Sequence, residues 1–324
     1  MPITDLTLPE LLGFRPDVEE PEDFDRFWQV TIAEARRLPQ EFVSTPADGP
    51  VSELLVEDVT FCGFDGDAIK AWVIRPRSGA RLPAVVEFVG YNGGRGLPAE
   101  HLHWAASGFV HVIMDTRGQG SGWGGGGSTP DPHGSGAALE GFMTRGVESP
   151  DTYYYRRVFT DAVRLVDAVR ALEFVDPDAV AVTGGSQGGG ITLAIAGLLG
   201  QDIVAAMPDV PFLCHFRRSV ALTPGRPFTE IAQYLSVHRD RVDAVFRTLS
   251  YFDGAVFAPR ATAPALFSVG LMDDIVLPST VFAAFNRYGA EDREIATYEY
   301  NGHEGGQLFH WQRQVAWLRN RLQS

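Results

Sequence analysis

Three residues carry the types and order needed for nucleophilic hydrolysis: Ser186, Asp273 and His303. Ser186 lies in Gly184-Gly-Ser-Gln-Gly188, between the β-branched run 180–183 and the helix-compatible run 191–199. That G-x-S-x-G pattern predicts a strand, a sharp turn and a helix, with the hydroxyl lifted clear of a sheet. Glycines at 184 and 188 let the two backbones pass where a Cβ would clash. Ser186 itself is predicted to carry a strained backbone held by the elements on either side.

A serine hydroxyl is a weak nucleophile at neutral pH and needs a base, which in turn needs an orienting group. Asp273 follows the apolar run 264–270, and His303 sits in the loop Asn301-Gly-His-Glu-Gly-Gly306 after the last predicted strand. All three thus fall at the carboxyl ends of predicted strands, where open α/β sheets bind ligands. Ser, then Asp, then His is the chain order of α/β-hydrolases. In that scheme His303 takes the Ser186 proton, and Asp273 fixes the histidine tautomer and stabilises the imidazolium. Asp274 is the adjacent rival for the acid, and Asp209 ends another predicted strand. His310 is the nearest rival for the base, but it falls inside a helical pattern.

Acyl transfer also needs donors for the developing oxyanion. In this fold they are the amide after the nucleophile, here Gln187, and one from the loop after an early strand. Gly90-Tyr-Asn-Gly-Gly94 occupies that place, which makes the Tyr91 amide the second donor. Asp115-Thr-Arg-Gly-Gln-Gly120 reads as a structural turn with Arg117 as an ion-pair anchor.

Other chemistries find no pattern. Gly122-Trp-Gly-Gly-Gly-Gly127 matches G-x-G-x-x-G, but proline and polar residues follow where a helix should begin. Lys70, the single lysine among 27 basic residues, has no glycine-rich loop before it, so no P-loop is present. His303-Glu304 leads into glycines rather than a second histidine, and Cys62 and Cys214 lie too far apart for a metal or redox motif. No cofactor and no metal are implied. A net charge of −14 without a basic run disfavours nucleic acid. No apolar run approaches the roughly 18 residues of a membrane span, and residues 1–10 lack the pattern of a signal peptide. The expectation is a cytoplasmic enzyme.

The chain of 324 residues is 45% hydrophobic and 21% charged, as suits a large core. Residues 1–20 read as an extended arm, and 21–36 as a helix with Pro21 in its first turn and Phe24, Phe27, Trp28 and Ile32 on its buried face. Runs 54–61 and 68–74 around Asp65-Gly66 predict a hairpin at an antiparallel edge. Runs 83–90 and 109–115 are apolar strands of a parallel sheet buried on both faces. Segment 118–150 is too long for an ordinary connection, so it is expected to serve function or an interface. Helices are predicted over 154–174, 279–288 and 308–322, and strands over 203–209, 264–270 and 294–300. The alternation predicts one doubly wound α/β domain over 1–324, an α/β-hydrolase fold with an N-terminal arm and helix (1–45) and a helical insertion (211–260).

With these residues assembled, the chain closely resembles carbohydrate esterase family 7, the acetyl xylan esterases and cephalosporin C deacetylases. Arg117-Gly-Gln-Gly120, Gly184-Gly-Ser-Gln-Gly188 and His303-Glu304 match its three signature motifs. The likeness continues in Asp23-Phe-Asp-Arg-Phe-Trp28, Tyr153-Tyr-Tyr-Arg-Arg157, Pro211-Phe-Leu-Cys-His-Phe-Arg-Arg218, Thr248-Leu-Ser-Tyr-Phe-Asp253 and Gly270-Leu-Met-Asp273, so it covers nearly the whole chain. The resemblance places the acid on Asp273, supports Tyr91 and Gln187 as oxyanion donors, and implies a ring-like homohexamer whose sites open into an internal cavity. One departure is Val276-Leu-Pro-Ser-Thr280, where the family usually has Cys-Pro-Pro-Ser-Thr, so a differently shaped loop is expected beside Asp273. The implied activity is a serine esterase deacetylating small carbohydrates such as xylo-oligosaccharides, and cephalosporin C-type acetates. An acyl-peptide hydrolase or aminopeptidase shares the fold and the residue order, and a non-catalytic scaffold on the same fold is the third alternative.

Overall fold

The computed structural model describes residues 5–323, so the first four residues of the predicted arm lie outside the described ones. Among these residues nine strands form one sheet: β1 (Phe42–Pro46), β2 (Leu54–Cys62), β3 (Ala68–Pro76), β4 (Leu82–Phe88), β5 (Val110–Met114), β6 (Val175–Gly185), β7 (Ala205–Asp209), β8 (Ala265–Gly270) and β9 (Arg293–Tyr298). Their spatial order is β1-β2-β3-β5-β4-β6-β7-β8-β9. Strands β1 to β3 run antiparallel, β3 meets β5 antiparallel, and the rest of the sheet is parallel. The predicted hairpin is therefore part of an antiparallel edge, and the elbow strand β6 is central.

Side chains alternate across the sheet as the pleat requires. Val180 and Val182 of β6 enter the larger core with Trp28, Phe159 and Ile195, while Ala181 faces Trp104, Val315 and Trp317 on the other side. The larger side is covered by α2 (Phe24–Arg36), α4 (Tyr154–Arg170) and α5 (Gln187–Leu199); the smaller by α3 (Leu102–Ala106) and α11 (Gln307–Leu322). Four helices follow β7: α6 (Phe216–Leu222), α7 (Phe228–Val237), α8 (Val242–Ser250) and α9 (Gly254–Phe257). Helix α10 (Pro278–Phe285) follows β8.

Several boundaries differ from expectation. The arm is not wholly extended: Leu8–Gly13 forms α1, closed by a Thr7–Glu10 capping box that satisfies its first amides. Pro21 lies before α2 rather than in its first turn, because the cap falls on Asp23. Strand β1 and helix α3 had no predicted counterpart; β1 is an exposed edge held by pairing to β2, which no hydrophobic alternation reveals. Helix α4 ends at Arg170, since the backbone is drawn off toward β6, which begins at Val175.

Segment 118–150 contains no helix or sheet strand; polar anchors order it instead. The Asp115 carboxylate accepts the amides of Arg95, Ser128 and Thr129. The Arg117 guanidinium, fully buried, bonds Asp161, Asp67 and Asp131. Arg117 is thus the ion-pair anchor that the sequence predicts.

Candidate active site

The end of β6 places Ser186 at φ 55°, ψ −117°, between the strand and α5. This is a region that L-residues rarely occupy, and it marks the strained elbow. Packing enforces it: a Cβ on Gly188 would run into the Phe88 carbonyl oxygen, and one on Gly184 would meet the same atom at 2.6 Å. The Ser186 amide donates to Asp209 O (2.9 Å) and the Ser186 carbonyl accepts from Phe212 (2.9 Å), so both sides of the turn are tied down.

Asp273 follows β8 and is fully buried. Its Oδ1 accepts the amides of Ile275 (2.9 Å) and Val276 (2.8 Å). Its Oδ2 faces His303 Nδ1 at 2.8 Å. With Nδ1 engaged, Nε2 is the ring nitrogen left for a substrate or a nucleophile. The neighbouring Asp274 is exposed and makes no such contact. The side chains that depart from the family sequence, Val276 and Leu277, are both buried, and Val276 joins the main core. From this loop it is Ile275 that faces the cavity.

The remaining rivals are placed elsewhere. His310 lies in α11, buried, with Nδ1 3.0 Å from Tyr298 Oη. Its Nε2 is 3.0 Å from Asp209 Oδ1, without the alignment of a hydrogen bond, and Gln314 donates to both Asp209 oxygens. Asp209 is thereby committed to α11.

Ser186, His303, Tyr91, Ile275 and Glu230 all line one cavity of about 920 Å³ at the carboxyl end of the parallel strands. Gln187 opens α5, and the first amides of a helix have no intrahelical acceptor. The Tyr91 carbonyl accepts Trp123 Nε1 (2.8 Å), and its phenol is held by Glu230. Tyr91 thus lines the same cavity as Ser186, and Gln187 is the residue that follows the serine into α5. Segment 118–150 supplies Ser121, Trp123, Glu140, Phe142 and Arg145 to the wall, so its length serves the cavity.

Two residues that the sequence reading did not single out join these parts. Gln119 Oε1 accepts the Asn92 amide (2.6 Å) and its Nε2 donates to Gln187 Oε1 (2.8 Å). The resemblance marked this residue only as part of a motif. Glu230, on α7, bonds Tyr91, and no sequence signal pointed to it. Burial raises the Glu230 pKa above the ordinary carboxyl range, against the pull of its bonds from Tyr91 and Met143. Among the described residues no group of three or more His, Cys, Asp or Glu side chains is arranged to hold a metal ion. Among them, too, no helix is long and apolar enough to cross a membrane.

The family model described as acetyl xylan esterase matches residues 1–321. The chain belongs to the acetyl xylan esterase family. Members of this family are carboxylic ester hydrolases. An acetyl xylan esterase from Paenibacillus sp. R4 superposes with a TM-score of 0.91 at 36% identity, over 97% of this chain and 99% of that one. Acetyl xylan esterase 1 from Thermoanaerobacterium sp. JW/SL YS485 gives 0.89 at 32% identity, with the same coverage. The acetyl esterase Axe7A of Xylanibacter ruminicola is 25% identical over 318 residues. The match takes in 89% of this chain but 64% of that relative's length.

Proposed function

We propose that the chain is a serine esterase that removes acetyl groups from small carbohydrates such as xylo-oligosaccharides, and from cephalosporin C-type acetates. One observation carries the reading: His303 is oriented by the buried Asp273 at 2.8 Å, in the cavity that also holds the strained Ser186. Membership of the esterase family supports it.

In this reading the chemistry runs through an acyl-enzyme in two half-reactions. The Ser186 hydroxyl attacks the acetyl carbonyl while His303 Nε2 takes its proton, and Asp273 stabilises the imidazolium. The amides of Gln187 and Tyr91 face the oxygen that becomes negative. The imidazolium then protonates the departing sugar oxygen, leaving acetyl on Ser186. Water, deprotonated by His303, attacks the acetyl carbonyl; the C–O bond to Ser186 breaks, the proton returns to Ser186, and acetate leaves. No cofactor enters any step.

The reading extends to a homohexamer with inward-opening sites, acting in the cytoplasm on chains short enough to enter, with no nucleic-acid or membrane partner. Polymeric acetylxylan is then a poor substrate beside short acetylated xylo-oligosaccharides. The test compares initial rates on p-nitrophenyl acetate, acetylated xylo-oligosaccharides, intact acetylxylan, cephalosporin C and aminoacyl anilides, with light scattering for the mass. Anilide turnover far above acetate turnover would replace the esterase by a peptidase. Folded protein that a fluorophosphonate does not label at Ser186 would favour a binding scaffold. A monomer that attacks intact polymer as readily as short chains would remove the assembly.

A further inference from the structure

Glu230 is 3% exposed, on a helix whose other buried side chains include Phe228, Ile231 and Tyr234. A buried carboxylate costs far more than an apolar residue unless donors surround it. Its donors come from two other segments. Tyr91 Oη lies 2.9 Å from both Oε1 and Oε2, and the Met143 amide donates to Oε2 at 3.2 Å. Tyr91 Oη in turn accepts the Phe142 amide at 2.7 Å. Gly141 passes so close that a Cβ there would strike the Glu230 carboxylate. Among the described residues no cation makes a salt-bridge contact with Glu230; Arg226 acts on it through its field alone. The group therefore acts as an acceptor rather than as half of an ion pair.

The loop after β4, segment 141–143 and α7 thus meet at one carboxylate, and Tyr91, Phe142, Gly141 and Glu230 all line the cavity of Ser186. We propose that Glu230 is a positioning residue that fixes Tyr91, and with it the second oxyanion amide, by holding the far end of the Tyr91 side chain. The proposal rests on the serine-esterase reading. Among the described residues Glu230 makes no hydrogen bond to the triad; its effect runs through Tyr91. Oxyanion donors lose most of their effect when displaced by a fraction of an ångström to an ångström. Loss of the anchor should then reach the transition state more than ground-state binding.

The test is a double-mutant cycle on the full chain, with Glu230→Leu, Tyr91→Phe and both together. It reads kcat and KM on p-nitrophenyl acetate, normalised to sites labelled by a fluorophosphonate. Each single change is expected to lower kcat about 10- to 100-fold while KM moves less than about twofold. The double variant is expected to be no worse than the poorer single one, because both changes remove the same bond. Unchanged kcat per labelled site in Glu230→Leu, or fully additive losses, would overturn the proposal. If Glu230→Leu does not fold, Tyr91→Phe decides, since it removes a hydroxyl alone, and full kcat there overturns the proposal equally. Wild-type protein that neither labels nor cleaves any acetyl ester removes the esterase reading and this inference with it. Active wild type with unimpaired variants removes the inference alone.

Discussion

Gln119 and Gln187 are joined side chain to side chain, with Gln119 Nε2 donating to Gln187 Oε1 at 2.8 Å, both buried. Tyr155 Oη donates to the same Gln187 oxygen at 2.8 Å, and Gln187 Nε2 reaches back to the Val89 carbonyl at 3.1 Å. The other end of Gln119 holds the Asn92 amide. One residue of the turn after β5 therefore sets the spacing between the elbow and the loop after β4. Those are the two segments that bear the proposed oxyanion donors.

Replacing Gln119 by Ala removes that strut and strands the Asn92 amide. Because misplacement near the reacting atoms costs about 10²-fold per ångström, kcat should fall by about 10- to 100-fold. KM for a small acetate ester should change little. Steady-state kinetics on p-nitrophenyl acetate check this, and a variant with full kcat would reduce Gln119 to a packing residue.

For the triad, Ser186→Ala and His303→Ala should each lower kcat by about 10⁴-fold or more without loss of fold. Asp273→Asn should cost about 10³- to 10⁴-fold, because an amide in place of Oδ2 favours the wrong histidine tautomer. Asp274→Asn should stay near wild type, its side chain being exposed. A crippled Asp274→Asn beside a mild Asp273→Asn would move the acid to the neighbouring residue. Kinetics of the four purified variants decide it.

The parts legible in the sequence were those with a local signature. Gly184 and Gly188 announce the elbow because only glycine allows the approach of Phe88 O. Near-continuous apolar runs announce β4, β5, β6 and β8 because both faces of the sheet are covered. The choice between Asp273 and Asp274 was not local. In the structure it turns on which carboxylate receives the Ile275 and Val276 amides and faces a loop thirty residues on. Strand β1 stayed hidden because its side chains are mostly exposed and pairing alone holds it. Glu230 stayed hidden because its donors, Tyr91 and Met143, lie 139 and 87 residues away.

The elbow glycines yield a stability contrast. Gly188→Ala puts a methyl against the Phe88 carbonyl, where β4 pairs with β6 through Phe88 and Gly184. Overpacking of this kind costs about 1–3 kcal/mol, so the thermal midpoint should drop by several degrees and Ser186 labelling should weaken. Gly185→Ala meets no atom within 4 Å and should leave the midpoint unchanged. Equal midpoints for the two variants would show that the close approach is not needed.

The buried Arg117 cluster gives a pH dependence whose sign follows from Asp67. Burial opposes the Asp67 charge, but Arg117 Nη1 (2.7 Å) and His133 Nε2 (2.7 Å) outweigh it and hold its pKa below the usual carboxylate value. A carboxyl depressed in the folded state binds protons more weakly there than in the unfolded chain. It therefore contributes stability that is fully present above the unfolded value, about 3.9, and is lost as pH falls through the folded one. Asp67→Asn removes this contribution and leaves Arg117 with Asp161 and Asp131. At neutral pH the variant should be about 1–3 kcal/mol less stable, as expected for a lost bond to a buried charged group. The gap between wild type and variant should then narrow from about pH 5 downward. Denaturant or thermal unfolding of both proteins from pH 7 toward pH 3 checks it. A gap that stays constant, or widens in acid, would mean that Asp67 does not gain its charge preference from the fold.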